Sequence, residues 1–372
     1  NQQDMKQANA ADILFLIREC GQITRKQIEA LTGLSWAAVS GITARLIEHG
    51  YITECKSAQS TGAGRTPFQL EINGADHFVI GLDVNSSGLR AVLINLKNTV
   101  LQSWSHSADF TSRQSLLNGI TALTKQVLAS AGKRHILGVG VAMQGLVDAK
   151  NGISIRLPQC KNWSQVPLAQ LLQNTLRLPV FLEHDPNCIL YARTADSDAD
   201  NAILLRVDNG IGMAVMLDGR ILDRPGMFEL GHTTAVPDGP RCDCGRNGCL
   251  ELYASQSGMA QLAQMPFAQL AQQARAQDSA AKQRFADMAR HLATALCNAA
   301  HLLHIPEVVL CGDMWNYNDL FYDAFIQHTA RLCPDRPLCF STIDVENAAL
   351  GAALIALERS ISQLQIGKED TQ

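Results

Sequence analysis

The residues best suited to chemistry are one histidine and three cysteines, which follow one another as His-x9-Cys-x-Cys-x4-Cys. One imidazole and three thiolates fill the four tetrahedral positions of a structural zinc ion. The alternative is a loop of free cysteines without a metal. We predict one zinc ion per chain, and its ligands are His232, Cys242, Cys244 and Cys249.

This donor set indicates a structural metal and not a catalytic one. A zinc ion that activates water keeps one open coordination position, and here the protein supplies all four ligands. Gly245 and Gly248 stand between the cysteines, where the chain must turn sharply and where glycine admits a positive φ without a clash. The ion is therefore expected to order a loop.

The composition sets the frame in which this site has to be built. The chain has 372 residues, of which 47% are apolar and 18% are charged, a balance typical of a globular protein with two or three domains. It contains no run of 18 or more apolar residues, and its polar start does not resemble a secretory signal. We expect no membrane span.

The eleven cysteines are an odd number, and three of them cluster beside His232. In a chain without a signal peptide, this pattern favours metal ligation over a disulfide framework. The predicted location is the reducing cytoplasm.

Three helices are predicted in the first fifty residues. Residues 5–20 have apolar side chains at helical spacing, and Thr24-Arg25-Lys26-Gln27 fits a capping box at the start of a short second helix that ends near Thr32-Gly33. Ser35 caps the third helix. Two helices around a tight turn form a helix-turn-helix, whose second helix enters the major groove of DNA.

Two predicted strands, Tyr51-Ile52-Thr53 and 68–72, flank a loop at 57–67 and form a wing. The first 72 residues hold seven Lys/Arg and seven Asp/Glu, so DNA affinity must come from local placement of charge. The alternative is a small packing module that does not bind DNA. The residues expected to contact operator DNA are Ser35, Trp36, Ser40, Thr43, Arg45 and the wing residue Arg65.

The segments Gly226–His232 and Cys242–Glu251 closely resemble the signature of the ROK family, named for repressors, open reading frames and kinases. The resemblance covers nearly the whole chain from residue 76, and the amino-terminal module resembles that of the repressor branch. Further segments occur in the family's order: Gly81-Leu82-Asp83, Val139–Asp148, Glu183–Asn187 and Gly210-Ile211-Gly212.

The resemblance implies an α/β fold, with an N-terminal winged helix-turn-helix followed by a two-lobed sugar-kinase/actin-like ROK domain. The expected boundaries are 1–72 for the DNA-binding domain, 73–190 for the first lobe, and 191–372 for the second lobe with the zinc loop, dimerisation surface and C-terminal helix. Alternating apolar runs agree with such lobes. These runs are Val79–Leu82, Ala91–Leu96, Ile136–Val141, Ala202–Val207 and Val308–Cys311.

The resemblance also implies a sugar in a cleft between the lobes. In ROK kinases an aspartate serves as base for the sugar hydroxyl, and Asp185 occupies that place here; the alternative is a structural carboxylate at a helix start, but the intact motif around Asp185 favours ligand contact. Carboxylates suit sugars because each oxygen accepts hydrogen bonds from vicinal hydroxyls. The implied ligand contacts are Gly145, His184, Asp185, Glu229, His232 and Glu251, so that His232 would serve both zinc and sugar.

The phosphate-binding motifs depart from those of the kinases. Asp83-Val84-Asn85-Ser86-Ser87 stands where ROK kinases carry Asp-x-Gly-Gly-Thr, and Asp208-Asn209-Gly210 replaces Gly-Thr-Gly. The substitutions bring side chains and an acidic group towards any bound phosphate. We therefore expect no enzyme activity and assign no catalytic residue, although the retained aspartates leave slow phosphotransfer as an alternative.

Together these features predict an allosteric transcriptional repressor. A sugar or sugar phosphate would alter the separation of two DNA-binding heads in a homodimer, or in a homotetramer built from such dimers, and so change operator affinity. One alternative is a regulator sequestered by a transport-system protein. Another is an active sugar kinase with an appended DNA-binding module.

Overall fold

The computed structural model describes residues 2–56, 68–193, 200–222, 224 and 226–364, which fall into two compact units. The first unit contains the chain up to Glu183 and from Ala352 onward, and the second contains His184–Gly351. The division differs from the lobes predicted at 73–190 and 191–372, because the last helix is shared: its second half packs in the first unit, where Gly140 lies against Ala352.

The amino-terminal module has three helices and a small sheet in which β3 lies between β1 and β2. The helices are α1 (Gln2–Cys20), α2 (Arg25–Thr32) and α3 (Trp36–Glu48), and the strands are β1 (Gln22–Ile23), β2 (Ile52–Lys56) and β3 (Phe68–Ile72).

The local signals predicted for this module are confirmed. Thr24 and Gln27 form a reciprocal capping box at the start of α2, and Gly33 ends that helix in the left-handed conformation, with φ 69°. The Ser35 side chain accepts from the backbone N–H of Ala38 at the start of α3. Apolar residues at helical spacing, such as Leu14, then face a common core.

The hairpin predicted as a wing is present as the antiparallel pair β2 and β3, in register from Ile52 opposite Ile72 to Lys56 opposite Phe68. Its connecting loop, 57–67, lies outside the described residues, and Arg65 with it. The pairing of β1 with β3 was not predicted, because a strand of two residues leaves no alternating pattern in the sequence.

The rest of the first unit is built on a five-stranded sheet in the order β11-β7-β4-β5-β6, with a three-stranded sheet in the order β10-β9-β8. β4 pairs antiparallel with β5, which follows it after a tight turn, and parallel with β7, which follows after the helix α4. A parallel pair needs such a crossover connection. The elements are β4 (His77–Asn85), β5 (Gly88–Asn95), β6 (Val100–His106), α4 (Arg113–Ala131), β7 (His135–Met143), β8 (Leu146–Asp148), β9 (Ile153–Arg156), β10 (Ser164–Val166), α5 (Leu168–Leu176), β11 (Val180–His184) and the later part of α12 (Asn347–Ser362).

The second unit has its own five-stranded sheet, in the order β14-β13-β12-β15-β16, with β12 antiparallel to β13 and parallel to β15. A long amphipathic helix, α10, packs its apolar face, including Phe285 and Leu292, into the core of this unit. The elements are α6 (Asp185–Ala192), β12 (Ala202–Val207), β13 (Ile211–Leu217), β14 (Arg220–Ile221), α7 (Leu250–Ala254), α8 (Gln256–Ala263), α9 (Phe267–Arg275), α10 (Ser279–Leu303), β15 (Glu307–Cys311), α11 (Tyr322–Leu332) and β16 (Cys339–Thr342).

All five predicted apolar runs lie in the strands of these two sheets, at β4, β5, β7, β12 and β15. Among the described helices, none combines the length and apolar character that crossing a bilayer requires.

A histidine cluster ties the amino-terminal module to the five-stranded sheet of the first unit. The buried His77, at the start of β4, stacks on Tyr51 with ring centroids 4.1 Å apart, and its Nε2 lies 2.8 Å from the backbone oxygen of His49. Its Nδ1 lies 3.0 Å from Nδ1 of His135. Because a neutral His77 donates from Nε2, its Nδ1 accepts from His135, and a proton on both Nδ1 atoms would break the pair.

Stability should depend on pH through His77. Burial lowers the pKa of His77, and His135 opposes its charge, although the His49 carbonyl and Asp76 act in the opposite direction. Unfolding exposes the ring, which then takes up a proton near pH 6.5. The free energy of unfolding should therefore be unaffected by this residue well above pH 6.5 and decline as the pH falls below that value.

Urea unfolding of H77Q at pH 7.5, 6.5 and 5.5 should show a smaller loss of stability on acidification than the wild type. The matched control is H106Q, because His106 is an exposed histidine at the end of β6. Equal pH slopes for the wild type and H77Q would contradict the assignment.

Candidate functional site

The third helix presents a surface of small side chains with one large aromatic residue at its start. Trp36 is 52% exposed, and Ala37, Gly41 and Ala44 are exposed on the same helix. Ser40 and Arg45 are half-buried. Small residues allow a helix backbone to approach the base edges of a groove closely, so α3 has the form that a recognition helix needs.

One predicted DNA contact does not fit this surface. Thr43 is fully buried, and its hydroxyl donates to the backbone oxygen of Val39 and accepts from Nε of Arg25 at 2.9 Å. Arg25 also forms an ion pair with Glu54 of the hairpin at 2.8 Å. The buried face of α3 is therefore wider than its apolar residues indicate. It also includes Thr43, whose hydroxyl is buried with its hydrogen bonds satisfied.

The four predicted metal ligands lie together in the second unit. Their donor atoms are all within 4.8 Å of one another. Nδ1 of His232 lies 3.8 Å from Sγ of Cys242, and Sγ of Cys244 lies 3.5 Å from Sγ of Cys249. A tetrahedral ion with Zn–S bonds of about 2.3 Å places its sulfur ligands about 3.8 Å apart. The cluster therefore has the donor set and the spacing to hold a metal ion.

Short backbone contacts shape the loop that carries the three cysteines, residues 242–249. The N–H of Cys242 donates to the oxygen of Arg246 at 2.7 Å, and Gly245 donates back to Cys242 at 2.8 Å. Gly248 has φ 65°, and a Cβ there would lie 1.6 Å from the backbone oxygen of Val236. The sharp turn expected between the cysteines is confirmed, and at Gly248 only glycine fits.

The protonation of the thiols differs along the loop. Burial and the neighbouring thiols raise the pKa of Cys249 to about 12, and burial raises the pKa of Cys242. Burial opposes ionisation of Cys244 as well, but hydrogen bonds from the backbone N–H of Arg246 and from the thiols of Cys249 and Cys242 together outweigh burial and lower the pKa of Cys244. Metal binding has to displace protons from the Cys249 and Cys242 thiols, so the affinity for the metal ion should fall as the pH falls.

Two glutamates that are predicted to contact a sugar, Glu229 and Glu251, lie next to the metal ligands in sequence. Glu229 directly precedes a 3-10 turn, Leu230–His232, and not an α-helix, and His232 donates its N–H to the Glu229 oxygen at 3.0 Å. Cys249 directly precedes α7, which carries Glu251. A metal ion on these ligands would therefore fix the two glutamate-bearing segments relative to each other.

Glu251 is held at the start of β13. Its Oε2 accepts from the backbone N–H of Ile211 at 3.0 Å, and a Cβ at Gly210 or Gly231 would lie 2.8 Å or 3.3 Å from the same oxygen. The glycines leave room for this carboxylate, and its second oxygen remains available to accept other donors.

Asp185 is almost fully buried and is engaged by Arg206, a residue that the sequence analysis did not select. One guanidinium nitrogen of Arg206 donates to Asp185, and Nε donates to Asp208 at 2.6 Å. His184 lies 3.5 Å from the other Asp185 oxygen. The signal was present in the sequence, because an arginine in the otherwise apolar run 202–207 requires a buried partner.

The remaining predicted contact, Gly145, lies in the first unit between β7 and β8, with φ 93°. The same unit contains the turn at Ser86-Ser87, which the sequence predicts to depart from the phosphate-binding motif of ROK kinases. There the N–H of Ser86 donates to the side chain of Gln144 at 2.8 Å, and the N–H of Ser87 donates to the side chain of Asn85 at 2.7 Å. Asn85 also donates to Asp83 at 2.7 Å.

Comparison with known proteins agrees with this arrangement. The ROK family profile matches residues 79–359. Two curated relatives are the DNA-binding transcriptional dual regulator NagC of Escherichia coli, 28% identical over 83% of this chain and 81% of the relative, and the xylose repressor of Bacillus subtilis, 29% identical over 68% and 67%.

Among solved structures, a ROK family transcriptional regulator described as a homologue of E. coli Mlc covers 98% of this chain and 99% of its own, with a TM-score of 0.81 at 20% identity. A ROK hexokinase from Thermus thermophilus covers 74% and 97%, with a TM-score of 0.66 at 26% identity. The regulator therefore shares the fold of the entire chain, whereas the kinase matches about three quarters of it.

The chain belongs to the ROK family. Its curated relatives are transcriptional regulators, and the fold match with the regulator structure covers the amino-terminal module as well as the ROK domain.

The metal cluster generates a direct prediction. Purified wild-type protein should contain one tightly bound metal ion per chain, and C244S should lose most of it and unfold at a lower temperature, because removing one thiolate leaves three ligands. Elemental analysis and thermal unfolding measure both effects. C339S is the matched control, since Cys339 is exposed and distant in sequence; full metal content in C244S would refute the site.

Proposed function

We propose that the chain is a DNA-binding transcriptional repressor whose operator affinity is controlled by a sugar or sugar phosphate bound to its ROK domain. The observation that carries the proposal is the joining, in one chain, of an exposed helix with the form of a recognition helix and a ROK domain whose metal cluster adjoins Glu229 and Glu251. The names of the relatives, a transcriptional regulator and a xylose repressor, support this combination.

DNA contact is assigned to α3 and the wing. Trp36, Ser40 and Arg45 would face the major groove with Ser35 at the helix start, and Arg65 would reach phosphate or the minor groove from the wing loop. Two such heads in a homodimer would read half-sites about 34 to 36 Å apart. A homotetramer would be two of these dimers.

Within the second unit, sugar contact is assigned to His184, Asp185, Glu229, His232 and Glu251. For Gly145, in the first unit, contact with the ligand stays a prediction from the sequence. In the second unit the metal ligands adjoin two of these residues, since His232 closes the turn that begins at Glu229 and Cys249 precedes the helix of Glu251. We propose zinc as the ion, because one imidazole and three thiolates in a closed tetrahedral set favour it. Nδ1 of His232 faces the thiols, which leaves Nε2 for a ligand or an orienting partner.

Catalysis is not part of the proposal. A kinase needs backbone N–H groups directed at the phosphates of ATP. At the corresponding turn, the N–H groups of Ser86 and Ser87 are taken by the side chains of Gln144 and Asn85. Asp185, in the place of the kinase base, is held by a guanidinium. Both features favour a sensor that binds a sugar without phosphorylating it.

The DNA assignment is tested with R65A. Operator affinity should fall about tenfold or less and by a similar factor on all sequences, and the dependence of log K on log salt should flatten by about one phosphate contact. R113A, which removes an exposed arginine from the start of α4, should change neither quantity. Identical binding by R65A and the wild type would exclude the wing from the interface.

The sugar assignment is tested with E251Q. This change keeps an oxygen for the N–H of Ile211 but removes the charge, so affinity for the responsive sugar should fall by at least about tenfold, with operator binding in the absence of sugar unchanged. D287N, on the exposed face of α10, is the matched control. Calorimetry and operator electrophoretic shifts measure both; wild-type sugar affinity in E251Q would contradict the assignment.

The same samples test the alternatives. ADP release that depends on a sugar would indicate an active kinase with an appended DNA-binding module. Operator binding that no sugar changes would instead favour control by a transport-system protein.

A further inference from the structure

We infer that the ligand surface of the second unit selects an uncharged, hydroxyl-rich ligand, such as a free sugar, over the phosphate ester of the same sugar. This surface comprises the proposed sugar contacts His184, Asp185, Glu229, His232 and Glu251. Arg206 and Asp208, which adjoin it, set the preference. The inference rests on the proposed sugar-responsive function and adds the charge class of its ligand. It follows from the hydrogen-bonding groups around the start of β13.

Three carboxylates gather at this place. Glu251 binds the backbone N–H of Ile211, the first residue of β13. The next residue, Gly212, faces Pro186 and Arg206, because a Cβ there would lie 3.1 Å from the proline ring and 3.8 Å from the arginine Cβ. Arg206 in turn holds Asp185 and Asp208. One strand end therefore brings Asp185, Asp208 and Glu251 into the same neighbourhood.

Arginine is the side chain that most often binds phosphate, through its planar fork of N–H donors. Here that fork is already engaged: Nε donates to Asp208 at 2.6 Å and a terminal nitrogen donates to Asp185. The Arg206 side chain is 10% exposed and that of Asp185 is 3% exposed. A phosphate would have to displace a buried carboxylate to reach the guanidinium.

The charge on Arg206 is stable in this position. Burial alone would lower the pKa of Arg206, but the Asp185 and Asp208 carboxylates outweigh burial and raise that pKa above its ordinary value. The guanidinium is paired with two carboxylates, and Glu251 adds a third to the neighbourhood. Carboxylates therefore outnumber the guanidinium here, and their excess of negative charge repels an anionic ester.

Three backbone donors near these carboxylates are occupied as well. The N–H of Ile211 binds Glu251, the N–H of Asp313 binds the Asp208 side chain, and the N–H of Gln256 binds the Asp208 backbone oxygen at 2.9 Å. Phosphate sites in proteins depend on such N–H groups. What this surface retains is acceptor capacity on carboxylate oxygens, which complements hydroxyl donors.

The experiment compares matched pairs of ligands on the full-length wild type. Glucose, mannose, xylose and N-acetylglucosamine are titrated by calorimetry, each beside its phosphate ester. The free form of the responsive sugar should bind at least about tenfold tighter than its ester, and the free form should be the one that changes operator affinity.

Two variants separate this electrostatic cause from a simple lack of space. D208N removes one negative charge beside Arg206, so the affinity for the phosphate ester should rise about tenfold and that for the free sugar should change less than about threefold. D319N is the matched control, because Asp319 forms a similar pair with Arg275 at an exposed position. Thermal unfolding and operator binding establish that both variants are folded; if D208N fails to fold, the wild-type pairs still decide the question.

The outcomes distinguish this inference from the function on which it rests. A phosphate ester that binds the wild type more tightly than its free sugar overturns the inference and leaves sugar control intact. Unchanged ester affinity in folded D208N rejects the roles of Arg206 and Asp208. Operator binding without affinity for any free sugar or ester overturns both the inference and sugar control.

Discussion

The convergence of His232 with three cysteine thiols is the constraint on which the candidate ligand surface depends. The loop that joins these residues has little apolar core of its own: its buried cluster consists of Cys242, Cys249 and Leu252. Backbone contacts, such as the N–H of Leu250 donating to Thr233 at 2.9 Å, join the two segments but bury little surface. A metal ion bound by all four side chains would supply the missing stabilisation and would hold Glu229 and Glu251 in place.

A buried ionic group formed by Arg206, Asp185 and Asp208 lies near the start of β13, which Glu251 also contacts. Burying charges is costly, but removing one member of such a group costs more, because its partner is left without compensation. Arg206 therefore ties the start of α6, through Asp185, to the end of β12, through Asp208. The same contacts that stabilise the sheet end also determine which ligand charges it tolerates.

The amino-terminal module is joined to the sheet of the first unit through a cluster of aromatic and histidine side chains. His49 and Tyr51 belong to the module, whereas His77 and His135 belong to strands of the sheet. The module is therefore attached through shared hydrogen bonds and a stacked ring pair as well as through the chain connection. Under the proposed function, a conformational change in the sheet would reach α3 through these contacts.

Local patterns were sufficient to predict a large part of this protein. The capping residues of α2 and α3, the strands of both sheets and the metal-binding set each depend on residues close together in sequence, so their spacing alone carries the information. Contacts between distant residues were beyond that reach. Arg25 buries Thr43 from another helix, Arg206 joins two aspartates from separate segments, and α12 divides between two units. A charged or polar side chain acquires its role from the partner that folding brings to it, because its burial is tolerated only when that partner is present.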